Sequence, residues 1–163
     1  MRLGRIASPD GVAFVSIEGS PDDPAAVARE IAEHPFGNPT FTGRQWPLAD
    51  VRLLAPILAS KVVCIGKNYA AHIAEMGGSD VTSTDGAREF ADPIIFMKPN
   101  TAIVGPHTPI QLPADANPVH FESELAAVIG RPCKDVPAER AAENILGYTT
   151  ANGHVIKERD RFV

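Results

Sequence analysis

Two apolar-rich runs, Leu3–Ala7 and Val12–Ile17, flank the turn-forming stretch Ser8-Pro9-Asp10-Gly11, a pattern that predicts a hairpin over residues 2–18. Pro24–Glu33 reads as a short helix, with Asp23 as its N-cap and Ala25, Val27, Ala28 and Ile31 on its apolar side. Residues 35–47, rich in Pro, Gly, Thr and Asn, are expected to be loop, and Leu53–Leu58, carrying Pro56, a short strand or linker. A boundary near residue 58 then separates a small accessory domain, 1–57, from a second region, 58–163.

That second region opens on the strand Lys61–Ile65, followed by a turn at Gly66-Lys67-Asn68. Asn68 caps a helix predicted over Tyr69–Met76, which Gly77 ends. Residues 78–92 are polar and read as a loop that can cover a pocket. Pro93–Lys98, Ala102–Val104, Ile110–Leu112 and His120–Ile129 are expected strands. Pro137–Leu146 is expected to be a helix, with Pro at its start and Gly147 past its end, and Tyr148 lies on a strand leading back to the core. Many short strands with few helices make the fold α+β and sheet-dominated.

Composition narrows the function classes. Fifteen Lys and Arg against twenty Asp and Glu give a net charge of -5, which speaks against nucleic acid as a partner. No run approaches the roughly 20 apolar residues of a membrane helix, and Met1–Ala7 lacks an apolar leader core. The two cysteines, Cys64 and Cys133, stand far apart in apolar contexts and are expected to be reduced and buried, as in a cytoplasmic protein.

The candidate chemistry centres on residues 119–129. Alternation along a strand places Phe121, Leu125, Ala127 and Ile129 on one face and His120, Glu122, Glu124, Ala126 and Val128 on the other. Two carboxylates about 7 Å apart by strand rise repel one another once they lose water. A hard cation (Mg²⁺, Mn²⁺ or Ca²⁺) relieves that repulsion. A wet strand face carrying two acids accounts for the same residues. His72 and Glu75, three apart, meet on one face if their helix forms, which suits either a general base or an ordinary surface pair. Lys67 and Lys98 each face a pocket or simply water; His107 and His154 are isolated.

In order, five blocks resemble the fumarylacetoacetate hydrolase family, particularly its smaller bacterial members of the acylpyruvate hydrolase and 2-hydroxyhepta-2,4-diene-1,7-dioate isomerase type. They are Lys61-Val-Val-Cys-Ile-Gly-Lys-Asn-Tyr-Ala-Ala-His-Ile-Ala-Glu-Met-Gly77, Pro93-Ile-Ile-Phe-Met-Lys-Pro99, Ile103-Val-Gly-Pro106, Val119-His-Phe-Glu-Ser-Glu-Leu-Ala-Ala-Val-Ile-Gly130 and Gly147-Tyr-Thr-Thr-Ala-Asn152. Residues 1–57 resemble the small N-terminal domain of some members. The resemblance implies an incomplete β-roll for 58–163 and a homodimer. It implies Glu122 and Glu124 as ligands of Mg²⁺ or Mn²⁺, His72 and Glu75 as the dyad that activates water, and Lys67 and Tyr69 as substrate contacts. The substrate class it implies is small oxo-acids, and the reaction is hydrolysis, isomerisation or decarboxylation through a metal-stabilised enolate. It also implies a chain cut short. After Asn152 the family pattern places an aspartate as third ligand, whereas Gly153 stands here and Val163 ends the chain. His154 and Asp160 are the nearby groups that could substitute. The alternative expectation is therefore an inactive remnant that binds or dimerises.

Overall fold

The structure is a computed structural model describing residues 1–20, 22–66, 68–69, 93–114 and 119–156, with 154–156 described by backbone alone. The first unit is a five-stranded antiparallel sheet in the order β4-β3-β2-β1-β5. Strands β1 (Arg2–Ser8) and β2 (Gly11–Glu18) form the expected hairpin, in register from Arg2↔Ile17 to Ser8↔Gly11. Its turn is held by the Ser8 hydroxyl, which donates to the Gly11 carbonyl at 3.1 Å and accepts from the Asp10 N–H at 3.2 Å. Ile6, Val15 and Ala28 are fully buried, and Ala13, Ile17, Trp46, Leu48, Val51 and Leu53 pack around them.

Two expectations fail in this unit. The helix predicted at Pro24–Glu33 is instead β3 (Val27–Ile31), paired with β2 on one side and β4 on the other. Asp23 does cap, but it caps a turn: its Oδ1 accepts from the Ala25 N–H at 2.8 Å and its carbonyl from the Ala26 N–H at 2.9 Å. Apolar spacing alone fits either element over so short a span, and β-branched Val27 and Ile31 suit a strand flanked by two partners. Residues 35–47, expected to be loop, contain β4 (Phe41–Pro47), which closes one edge of the sheet. Gly43 and a terminal Pro47 are tolerated there because an edge strand needs only one ladder. The other edge is β5 (Arg52–Leu53), paired with Ala7 and Ile6 of β1.

The rest of the described chain forms two antiparallel ribbons. β6 (Val62–Gly66) pairs with β7 (Ile94–Lys98), from Val62↔Lys98 to Gly66↔Ile94. β8 (Val119–Ile129) pairs with β9 (Ile145–Ile156), from Val119↔Ile156 to Ile129↔Ile145. The strands expected at Ala102–Val104 and Ile110–Leu112 are absent: Asn100–Ala102 is a 3₁₀ turn, and no strand covers 103–112. Pro99, Pro106, Pro109 and Pro113 remove ladder donors across this stretch. The helix expected at Pro137–Leu146 is a run of 3₁₀ turns over Ala138–Asn144, and Ile145 and Leu146 already belong to β9. Among the described residues the helical part of the α+β fold is thus three short 3₁₀ segments on open sheets.

Candidate functional site

Strand β8 alternates as expected, and the direction in which it faces decides how its acids are read. Glu122, Glu124, Ala126 and Val128 are half-buried. Phe121 is 77% exposed, Leu125 66% and Ile129 53%. From Glu122 to Val128 the carboxylate face is therefore the less exposed one, while His120 at its start is exposed. Tyr148, expected to pack, is opposite Ala127 on the open face and is 63% exposed.

Register builds the site from both ribbons. Glu122 is opposite Gly153 and Glu124 is opposite Ala151. The Glu122 N–H donates to the Asn152 side-chain oxygen at 3.1 Å, tying the two strands together beside the acids. Gly153 is buried. A Cβ built on it would lie 3.0 Å from Glu124 Oε2 and 3.3 Å from Lys98 Nζ. Lys98, the last residue of β7, thus crosses from one ribbon to reach the acidic face of the other. Cys64 of β6 belongs to the same neighbourhood. Burial raises its thiol above the ordinary value, the Lys98 ammonium pulls it down and the Glu124 carboxylate pushes it up. Both cysteines are free, as expected; Cys64 is half-buried, but Cys133 is exposed rather than buried.

Most of the other expected site residues fall outside the described residues. Lys67, His72, Glu75 and Asp160 lie outside the described residues, as do the loop 78–92 and all but the first residue of the helix expected over Tyr69–Met76. Tyr69 is described, is 51% exposed and has no regular structure. His154 is described by its backbone alone, opposite Phe121.

Paired carboxylate oxygens on a less exposed face are the right donors for a hard divalent cation. They are two of the donors such an ion needs. Among the described residues no third His, Cys, Asp or Glu completes a cluster able to hold a metal. Where the resemblance expects an aspartate the chain has Gly153, with an ammonium beside it.

Residues 61–162 match the family described as fumarylacetoacetate (FAA) hydrolase C-terminal, and residues 1–56 match one described as Rv2993c-like, N-terminal. The chain belongs to the fumarylacetoacetate hydrolase family. It is 72% identical over 153 residues to Protein Rv2993c of Mycobacterium tuberculosis, covering 93% of this chain and 54% of that one. It is similar to the crystal structure of 5-carboxymethyl-2-hydroxymuconate delta-isomerase from Mycobacterium smegmatis, with 70% identity and a TM-score of 0.80, over 96% of this chain and 56% of that one. The crystal structure of 2-hydroxyhepta-2,4-diene-1,7-dioate isomerase from Mycobacterium marinum is 67% identical, with a TM-score of 0.81 over 96% and 55% of the two chains. The chain spans about half the length of these relatives. Membership of this family makes it enzyme-like by descent. Among the described residues no helix is long and apolar enough to cross a membrane.

Sequence reasoning singled out Glu122 and Glu124 and left Lys98 facing either a pocket or water. The meeting of Lys98, Cys64, Glu124 and Gly153 carries no sequence signal, because it joins two ribbons whose strands pair only within themselves.

Proposed function

We propose that this chain carries part of the active site of an isomerase-type enzyme for small oxo- or hydroxy-dicarboxylic acids. In this reading residues 1–57 are an accessory domain and 58–163 the first part of the catalytic domain. The observation that carries it is the less exposed face of β8, where Glu122 and Glu124 sit side by side in a member of a family with isomerase-named relatives. Isomerisation of such acids relocates a proton through an enol or enolate. Glu122 and Glu124 would be the residues to hold a Mg²⁺ or Mn²⁺ ion, which when bound would supply Lewis-acid stabilisation of the developing oxyanion. Pairing with β9 and the Asn152 contact fix the β8 backbone, so the two carboxylates keep a constant aim. His72 and Glu75 are the proposed proton carriers, the carboxylate orienting the imidazole and raising its basicity. Lys67 and Tyr69 are the proposed contacts to substrate carboxylate and oxo groups. The open apolar faces of both ribbons support assembly with a second copy.

A second reading has its own observation, Gly153 at the position of the third expected ligand: a non-catalytic chain that retains the family's strands and binds or dimerises. One experiment separates the two. Calorimetric titration with MnCl₂, alongside ultraviolet assays of oxaloacetate keto–enol interconversion, is expected to show binding and turnover. Glu122→Gln/Glu124→Gln is expected to abolish both. Mn²⁺ binding without turnover favours the second reading, and neither binding nor turnover in the parent chain defeats the first.

A further inference from the structure

The geometry points to a clasp at the base of the β6–β7 ribbon: the backbone of Leu54 and Ala55, carried by the N-terminal sheet, closes on Gly105, and only glycine at 105 lets it close. The N-terminal unit is thereby the support that holds this ribbon in place, not a module tethered beside it. Three observations carry the inference. First, a Cβ added at Gly105 would lie 2.8 Å from both the Cα and the carbonyl carbon of Leu54 and 2.9 Å from the Ala55 nitrogen. Non-bonded carbons sit at about 3.5–4.0 Å, and backbone atoms cannot swing aside as the end of a side chain can. Second, Leu54 is fixed to the N-terminal sheet. Its N–H donates to the Arg5 carbonyl at 2.8 Å, and Leu53 before it pairs with Ile6 and packs on the core. Third, Gly105 is fixed in its own turn. Its carbonyl accepts from the Thr108 N–H at 3.3 Å, with Pro106 and a left-handed His107 (φ 58°) between them.

The placement follows from the strands. The last pair of the ribbon is Val62↔Lys98, and Ala55 and Gly105 stand equally far beyond it along the two arms. The arms leave the ladder and meet again at the clasp, in the register the ladder would have reached. One arm is wound through the 3₁₀ turn at Asn100–Ala102, where the Ala102 and Ile103 N–H groups donate to the Pro99 and Asn100 carbonyls at 3.0 and 3.2 Å. A two-stranded ribbon has little stability of its own, and β6 and β7 pair only with each other. Holding both arms at one point ties the opening of the Val62–Lys98 end to the opening of the clasp. Of the described glycines, Gly105 is the one whose close backbone neighbours lie in the other family-matched segment, Leu54 and Ala55 within 1–56 and Gly105 within 61–162. Beside the contact the two segments stand apart across a cavity of about 770 Å³, lined by Asp50 and Arg52 from one and by Pro106 and His107 from the other. The contact is therefore narrow, and little else there replaces it.

The test is amide hydrogen exchange of the full chain, read by mass spectrometry, with the single tryptophan, Trp46, reporting on the N-terminal sheet. Gly105→Val is expected to speed exchange of the ladder amides of β6 and β7 about tenfold, the scale of forcing a side chain into a packed contact. Residues 2–18 are expected to keep the parent's rates, and Trp46 the parent's emission. Gly105→Ala is expected to act in the same direction and less. Gly147→Ala, whose added carbon has nothing within 4 Å, is the control expected to change neither. Parent rates in β6 and β7 in both Gly105 variants overturn the clasp, as does an equal rise in Gly147→Ala. If both Gly105 substitutions unfold the N-terminal sheet as well, the parent chain decides. Under rising urea its ribbon amides are expected to open together with those of β1 and β2, and opening at much lower urea overturns the clasp.

Discussion

The five-stranded sheet of residues 2–53 and the two ribbons that follow use similar residues to opposite effect. In the sheet, β1, β2 and β3 contribute Ile6, Val15 and Ala28 to one closed core with full burial. In the ribbons, Val63, Ile65, Ile95 and Met97 of β6 and β7, and Phe121, Leu125 and Ile129 of β8, lie open. The less exposed side of the ribbons mixes polar groups, Cys64, Lys98, Glu122 and Glu124, with Val62, Ala126 and Val128. The contrast shows that alternation names two faces of a strand without naming which is inside. Contacts from other elements settle that, and in the ribbons the less exposed side carries charged residues along with apolar ones.

The largest expected effect breaks the comparison on the sheet side. Ile6→Ala removes a fully buried side chain and is expected to cost about 2–5 kcal/mol in urea unfolding, by lost burial and the cavity left behind.

A smaller effect comes from the sheet's one well-tied buried acid. Glu30 accepts from Arg44 at 2.6 Å through both its oxygens and from the Thr42 hydroxyl at 2.5 Å. Those bonds, the Thr42 hydroxyl first, hold its carboxyl below the ordinary value against a smaller upward push from burial. A depressed folded-state value means that the contribution is fully present above the unfolded pKa and is lost as pH falls through the folded one. Arg44→Ala is expected to destabilise by about 1–3 kcal/mol near neutrality, the cost of an under-bonded buried acid. It should also flatten the acid limb of stability against pH; an unchanged acid limb would count against the assignment.

The smallest effect on stability sharpens the ribbon side. Leu125→Glu, on the open face, is expected to change unfolding free energy by no more than about 0.5 kcal/mol. The same variant is expected to reduce concentration-dependent association in sedimentation velocity, because it puts a charge on an exposed apolar strand face. A loss as large as that of Ile6→Ala would mean that the face is covered after all.

Legibility followed the range of the interaction that decides each element. The β1–β2 hairpin and β8 were readable because a turn signal and a period of two are local. The strand at Val27–Ile31 was not, since its four-residue apolar spacing serves helix and strand alike and two flanking strands made the choice. The edge strand β4 was hidden because Gly43 and Pro47 read locally as loop formers, and only its pairing with β3 makes it a strand.

By itself the sequence determined the family, through five ordered blocks, and the placing of Glu122 and Glu124 on one face of a strand. Both are properties of neighbours along the chain. Only the tertiary structure decided that this face is the less exposed one, that Gly153 lies against Glu124, and that Lys98 arrives there from another ribbon. Those facts depend on charges and backbone brought together across long sequence separations, where neither periodicity nor local propensity carries information.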